Sequence, residues 1–303
     1  MYSYKLLENK LKALNLTKSN LCDLLNISSR TIAKISKGEK ISDRVLKRIA
    51  TFLDCDINDL YSVVCNNRIL QILKEEKDAK VSGGLYHELQ VKMTYNSNHI
   101  EGSKLTEDQT RLIFETRTID ASDGMLVDDI IETSNYFRDI DYVIDHALEP
   151  LSEELIKHLH LILKQSTKDS TLDWFAVSDY KKKSNVVGGK KTCKPSEVSK
   201  EMNKLLKTYN AKEGITINDI IEFHADFEII HPFQDGNGRV GRLIALKECL
   251  RFNITPFIIE DYKKAFYYRG LSNWRQEKGW LIDTCLDGQD TFRKLLRLLD
   301  IQE

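Results

Sequence analysis

Cysteine is sparse and unpatterned in this chain: Cys22, Cys55, Cys65, Cys193, Cys249 and Cys285 are scattered and form no CxxC pair. That spacing argues against a disulfide framework or a zinc cage. Proline is scarcer still, four residues in 303, so little interrupts helical segments. No apolar run is long enough to span a bilayer, and no signal-peptide pattern heads the chain. Neither sign of charge predominates, and a net charge of −1 removes any global case for a nucleic-acid or membrane binder. There is also no P-loop, no internal repeat and no low-complexity tract. The expectation is a reduced, soluble, cytoplasmic protein with no membrane partner.

What is present is helical periodicity. Hydrophobic residues make up 41% of the chain, enough for one sizeable domain and a small one. "LIKHLHLILKQ", "VSKEMNKLLKTYN" and "LIALKECLRF" repeat apolar residues at three-to-four spacing, which predicts amphipathic or buried helices and an all-α class. One segment reads as a hairpin: in "SNVVGGKKTCKP", Val186 and Val187 lead into Gly188-Gly189 and a short polar return.

Residues 1–62 alternate short helical blocks with cap signals. Thr17 can cap "KSNLCDLLNI", Ser28 or Ser29 can cap "RTIAKISKG", and Ser42 can cap "DRVLKRIATFL". Two helices with a tight connection, the second bearing Arg30, Lys34 and Lys37, have the geometry that places a helix in a DNA major groove. Here eleven basic residues face seven acidic ones, a modest local excess. The stretch "TKSNLCDLLNISSRTIAKISKGEKISDRVLKRIATFLDCDINDLY" resembles the Cro/C1-type helix-turn-helix domains of bacterial repressors, which implies DNA as a partner of this segment. Residues 63–84, "VVCNNRILQILKEEKDAKVSGG", read as a connecting helix and linker ending at Gly83-Gly84, with the main domain at 85–303.

The chemistry concentrates in "HPFQDGNGRVGR", His231 to Arg242. An imidazole at its ordinary pKa of ~6.5 accepts a hydroxyl proton at neutral pH, which suits His231 to general-base work. Asp235 suits Mg²⁺, which prefers carboxylate and phosphate oxygens and keeps several waters. Gly236, Asn237 and Gly238 permit a turn at the start of a helix, where backbone N–H groups form an anion site. Arg239 and Arg242, three apart, share a helix face and can both reach polyphosphate. These parts add up to nucleotide chemistry on a hydroxyl.

The same segment matches the HxFx(D/E)GNGRxxR signature of the Fic (Fic/Doc) family at every defined position, and similarity continues from about Tyr86 through "SNHIEGSKLT", the hairpin and "FYYRGLSNWRQEKG". The resemblance implies a Fic-type helical domain that transfers AMP from ATP to a Ser, Thr or Tyr hydroxyl of a target protein, the chain itself included. By that resemblance His231 is the base, Phe233 anchors the loop and Asp235 holds Mg²⁺ against the α- and β-phosphates. Gly236, Asn237 and Gly238 cradle phosphate oxygens, and Arg239 and Arg242 bind the outer phosphates. Tyr268 matches an aromatic near the adenine, and Val186, Val187, Gly188 and Gly189 form a flap that positions the target segment. A homodimer is also compatible with the resemblance.

"SNHIEGSKLT" matches the (S/T)xxxE(G/N) inhibitory motif of Fic enzymes, with Ser97 and Glu101 four apart on one helix face. The resemblance implies that Glu101 pairs with Arg242 and blocks the ATP γ-phosphate, since carboxylate and phosphate compete for one guanidinium. In some relatives the same glutamate positions a water that removes AMP. Two other readings stay open at this stage. One is a metal-dependent phosphohydrolase using His224, Asp226 and His231 of "FHADFEIIH". The other is a DNA-binding repressor whose second domain only senses nucleotide or dimerises.

Overall fold

The computed structural model of the chain describes residues 2–63, 67–120 and 124–302; Cys65 lies outside them. Two compact units emerge, residues 1–66 and 67–303. Helices and two minute sheets account for the regular structure of the described residues.

In the first unit α1 (Lys5–Ala13), α2 (Asn20–Leu25), α3 (Ser29–Ser36) and α4 (Asp43–Phe52) enclose Leu7, Leu11, Leu21, Ile35, Leu46 and Ile49. Ser28 caps α3 by accepting the Thr31 N–H at 3.2 Å. Ser42 occupies the cap position of α4 without making the bond. Thr17 does not cap α2; its N–H and hydroxyl both reach Asn20 Oδ1 at 2.7 Å. Asn26 takes a left-handed conformation (φ 46°) that turns α2 toward α3. Tyr2–Ser3 (β1) pairs antiparallel with Ser62–Val63 (β2), a closure with no turn signal because about sixty residues separate its strands.

The second unit begins earlier than the glycine pair suggested. α5 (Arg68–Ala79) buries Ile69, Leu70 and Leu73 in the main core against α6 (Leu85–Ile100) and α8 (Val127–Asp145). It is therefore part of the domain rather than a linker, and Gly83-Gly84 is the turn between two packed helices. α7 (Glu107–Thr116), with a Thr106–Gln109 capping box, and α9 (Glu153–Lys164) flank α8. A hairpin of β3 (Val186–Val187) and β4 (Lys190–Lys191) precedes α10 (Pro195–Asn210).

At the centre lie α11 (Ile217–Ile230) and α12 (Asn237–Arg251), with α13 (Lys264–Asn273) and α14 (Gly279–Leu298) packed on one side. α12 is buried nearly all round, so even its polar residues must find partners in the interior. No helix among the described residues is long and apolar enough to cross a membrane. Their five cysteines are all free.

Candidate active site

The six residues between α11 and α12 are held by their own side chains. His231 ends α11 in a left-handed conformation (φ 53°) and donates its N–H to the Phe227 carbonyl at 2.8 Å. Pro232 disfavours further helix at the preceding residue. Phe233 is fully buried, its ring stacked on His160 with centroids 4.0 Å apart. Asn237 closes the loop: its Oδ1 accepts the Phe233 N–H at 2.8 Å, and its amide donates to the Phe233 carbonyl at 2.9 Å. The Asn237 side chain is thus committed to the loop, and only its backbone remains for a phosphate. Gly236 (φ 82°) turns the chain into α12, whose first N–H groups receive no side-chain cap.

Both arginines are buried, but they face different partners. Arg242 donates from Nε to Ser97 Oγ at 2.8 Å, and from NH2 to the Ser97 carbonyl at 2.9 Å and Glu101 Oε1 at 2.7 Å. Glu101 is the C-terminal cap of α6, so one turn of that helix supplies all three acceptors. A Cβ on residue 238 would strike the Glu101 carboxylate, so Gly238 is what lets Glu101 close on α12. Arg239 pairs with Glu132, and reaches Asp235 Oδ2 at 3.1 Å. Lys164 joins the same cluster, 2.5 Å from Glu132 and 2.8 Å from Asp235.

Electrostatics follow from this packing. Partial desolvation opposes the charge on Asp235, but Arg239 and Lys164 more than offset it and hold the carboxyl well below the usual range. Burial, and then the Lys181 ammonium, push His231 down to about 4, rather than the ordinary value expected of an exposed loop. The imidazole is neutral at pH 7 and free to accept a proton. Glu228, one turn before His231 and 3.9 Å from its Nδ1, is pushed up to about 8 by burial and then by Glu101.

Asp235 is ionised, half-exposed at 50%, and adjacent to the uncapped start of α12. One such carboxylate fits a Mg²⁺ ion that takes its remaining oxygens from phosphates and water. No group of three His, Cys, Asp or Glu among the described residues could hold an ion without them. The hydrolase ligand set does not assemble. His224 lies against the Tyr267 hydroxyl at 2.8 Å, and Asp226 pairs with Arg275 at 2.8 Å on another side of α11.

The hairpin is stitched to this loop. Lys181 donates its N–H to the Pro232 carbonyl at 2.8 Å, and its ammonium to Asn185 Oδ1 at 2.9 Å and Thr192 Oγ1 at 2.6 Å. The Asn185 amide reaches the Phe233 carbonyl at 3.3 Å, and the Lys183 N–H reaches Gln234 Oε1 at 3.2 Å. Gly188 and Gly189 both take positive φ at the turn, with Val186 and Val187 exposed beside them. Tyr268 is about a third exposed and donates to the Ile100 carbonyl at 3.1 Å, at the end of the helix that carries Glu101. Arg30 and Lys37 are exposed and Lys34 half-buried, on and just after α3 of the other unit.

Sequence reasoning missed Glu132, Lys164, Lys181 and Glu228. A signal existed for three of them. Lys164 continues the buried stripe of Ile156, Leu159, His160 and Leu163, while Glu132 aligns with Tyr136 and Ile140. Glu228 aligns with Ile221, His224 and Ala225. A charged residue in an apolar stripe needs a buried partner.

The loop between two buried helices, its paired arginines and its stitched hairpin define a Fic-type fold. Residues 150–249 match the Fic/DOC family, and residues 7–66 match the Cro/C1-type HTH DNA-binding domain. The chain carries a Fic/DOC domain behind a Cro/C1-type helix-turn-helix domain. It is similar to the protein adenylyltransferase Fic of Drosophila persimilis and of Drosophila melanogaster, 26% identical over 185 residues in each case. The alignment takes in 58% of this chain and 34% and 36% of those proteins, so the chain spans about a third of their length. A Fic domain containing signaling protein from Bacteroides thetaiotaomicron superposes with a TM-score of 0.61 at 22% identity, over 76% of this chain and 95% of that one. Fic-1 from C. elegans superposes with a TM-score of 0.59 at 17% identity, over 89% and 77%. These two share the fold.

Proposed function

We propose that the second unit is a self-inhibited protein adenylyltransferase that moves AMP from ATP to a Ser, Thr or Tyr hydroxyl of a protein, in the cytoplasm. The observation that carries this reading is the constellation around residues 231–242, in which a neutral, partly buried histidine, an ionised aspartate and two buried arginines surround the uncapped start of α12. His231 takes the proton of the target hydroxyl, whose oxygen attacks the α-phosphorus. The bond from that phosphorus to its bridging oxygen breaks, and pyrophosphate leaves. Asp235 would hold Mg²⁺, which when bound neutralises charge on the phosphates. Backbone N–H groups at 236–238 and the freed Arg242 guanidinium stabilise the leaving group. Arg239 contributes to phosphate binding only if Glu132 and Asp235 share it.

The form with Glu101 on Arg242 is the inhibited one, because the cation the γ-phosphate needs already has a carboxylate 2.7 Å away. The same carboxylate, so close to the phosphate site, is suited to orient a water that removes AMP. The first unit binds DNA through α3, with Arg30, Lys34 and Lys37 toward phosphates and bases. Incubation of wild-type and Glu101→Gly proteins with ATP labelled at the α- or γ-phosphate, plus cell lysate, tests the enzymatic reading. Transfer of the α-label alone, stronger with the variant, supports it; transfer of the γ-label replaces it with phosphoryl transfer.

A further inference from the structure

The flap differs from the rest of the chain in charge. From Tyr180 to Ser196 there are six lysines (181, 182, 183, 190, 191 and 194) and no aspartate or glutamate, in a chain whose net charge is −1. Five of the six are exposed; only Lys181 is buried, as the pin of the hairpin. None of the five lies within 4.0 Å of a carboxylate among the described residues, although such pairs are numerous elsewhere on the unit. Lys183 lies over the Trp174 ring, and Lys190 donates to the Ser272 carbonyl at 2.9 Å. Lys182, Lys191 and Lys194 make no side-chain hydrogen bond or ion pair among the described residues.

Strand geometry orders these charges. Val186 pairs with Lys191 and Val187 with Lys190, and cross-strand partners share a face. The Lys190 contact turns the Val187 face toward α13, which leaves Val186 (62% exposed) and Lys191 facing outward together. The base of the hairpin is bonded to residues 230–234, the loop that carries His231.

We propose that the flap selects its target by charge: the segment carrying the acceptor hydroxyl is an extended protein strand with acidic residues on both sides of it. This rests on the adenylyltransferase reading of the same site and adds the class of substrate. Main-chain pairing along a hairpin edge is indifferent to sequence, so discrimination falls to the side chains that flank it. One exposed ion pair contributes little, but several lysines without a carboxylate partner, on and beside one short hairpin, act together. They also steer encounter, an effect that salt screens. A protein strand suits the flap better than nucleic acid, because the exposed valines would meet phosphate, and the exposed aromatic beside the lysines, Trp174, already has its ring covered by Lys183.

The test uses the full chain and three synthetic peptides of equal length, each with one central threonine. Its flanks are Asp and Glu, their Asn and Gln isosteres, or Lys and Arg. Fluorescence anisotropy at low salt should show the acidic peptide binding about tenfold or more tighter than the amide peptide, with the gap closing as salt rises. Joint Lys182→Gln, Lys191→Gln and Lys194→Gln should abolish the preference, and the corresponding Glu substitutions should transfer it to the basic peptide, with the melting temperature unchanged. In a Glu101→Gly background, AMP transfer should follow the same ranking through KM. Equal or undetectable binding of the acidic and amide peptides overturns the proposal. So does an acidic preference that survives charge reversal, or reversal that costs duplex-DNA binding and leaves peptide binding alone. Charge-selective binding with no use of α-labelled ATP would instead remove the adenylyltransferase reading and leave the acidic-segment surface standing.

Discussion

His231 sits where its chain and its neighbours agree on a neutral imidazole. The α11 cap buries it, and Lys181 adds a positive charge nearby, so its proton is lost above about pH 4. Transfer should therefore be flat from pH 6 to 8 and fall only as pH drops toward 4. Replacing Lys181 with Met removes a charge that lowers the imidazole value, so the acid limb of the kcat profile should move up by about half a unit or more. An unmoved limb would show that Lys181 only pins the flap. His231→Ala should lose on the order of 10²–10⁴ in rate with ATP binding largely retained, as isothermal titration would read. Glu228 obeys the opposite sign. Its raised value means that the folded state keeps the proton more tightly than the unfolded chain, so destabilisation accrues from the ordinary carboxylate range up to about pH 8. Glu228→Gln should raise the melting temperature by a few degrees at pH 9 and change it little at pH 5.

The proposed brake is a matter of two helices. α6 brings Ser97 and Glu101 to one guanidinium, and α12 supplies that guanidinium from a position where Gly238 leaves room. If the pair is the brake, Glu101→Gly should raise AMP transfer, while Arg242→Ala should be poorly active with or without Glu101. The two changes should be non-additive, as residues in direct contact are. Equal activation by Glu101→Gly in wild-type and Arg242→Ala backgrounds, measured with α-labelled ATP, would dissolve the proposed link. α8 and α9 do a quieter job: Glu132 and Lys164 hold Asp235 and Arg239 at fixed positions. Lys164→Met should weaken ATP affinity at limiting Mg²⁺ by disordering Asp235, which titration calorimetry would report.

The whole molecule joins two units that differ in net charge. The first has a basic excess and a capped α3 with Arg30 and Lys37 exposed. Duplex DNA should bind the full chain more weakly as salt rises, through counterion release. Where Arg30 or Lys37 neutralises a phosphate, its Ala variant should reduce the salt slope by about one and leave sequence preference intact. No binding at low salt, across a panel including the chain's own upstream region, would assign the module to protein contacts.

Local order was legible where it is encoded locally. The spacing of apolar residues marked the helices, and the glycine pair marked the hairpin turn. The run from His231 to Arg242 displayed its own candidate site, because loop, turn and helix start are contiguous in the chain. Glu101 was readable only through its resemblance, since 141 residues separate it from Arg242. Tertiary structure alone decided the rest. It assigned α5 to the second unit, because three apolar residues fit a core whose other walls come from distant helices. It paired Arg239 with Glu132, lowered His231 and raised Glu228, all through burial. Sequence lists charges but not the dielectric around them, and only the packed chain fixes how much water each charge keeps.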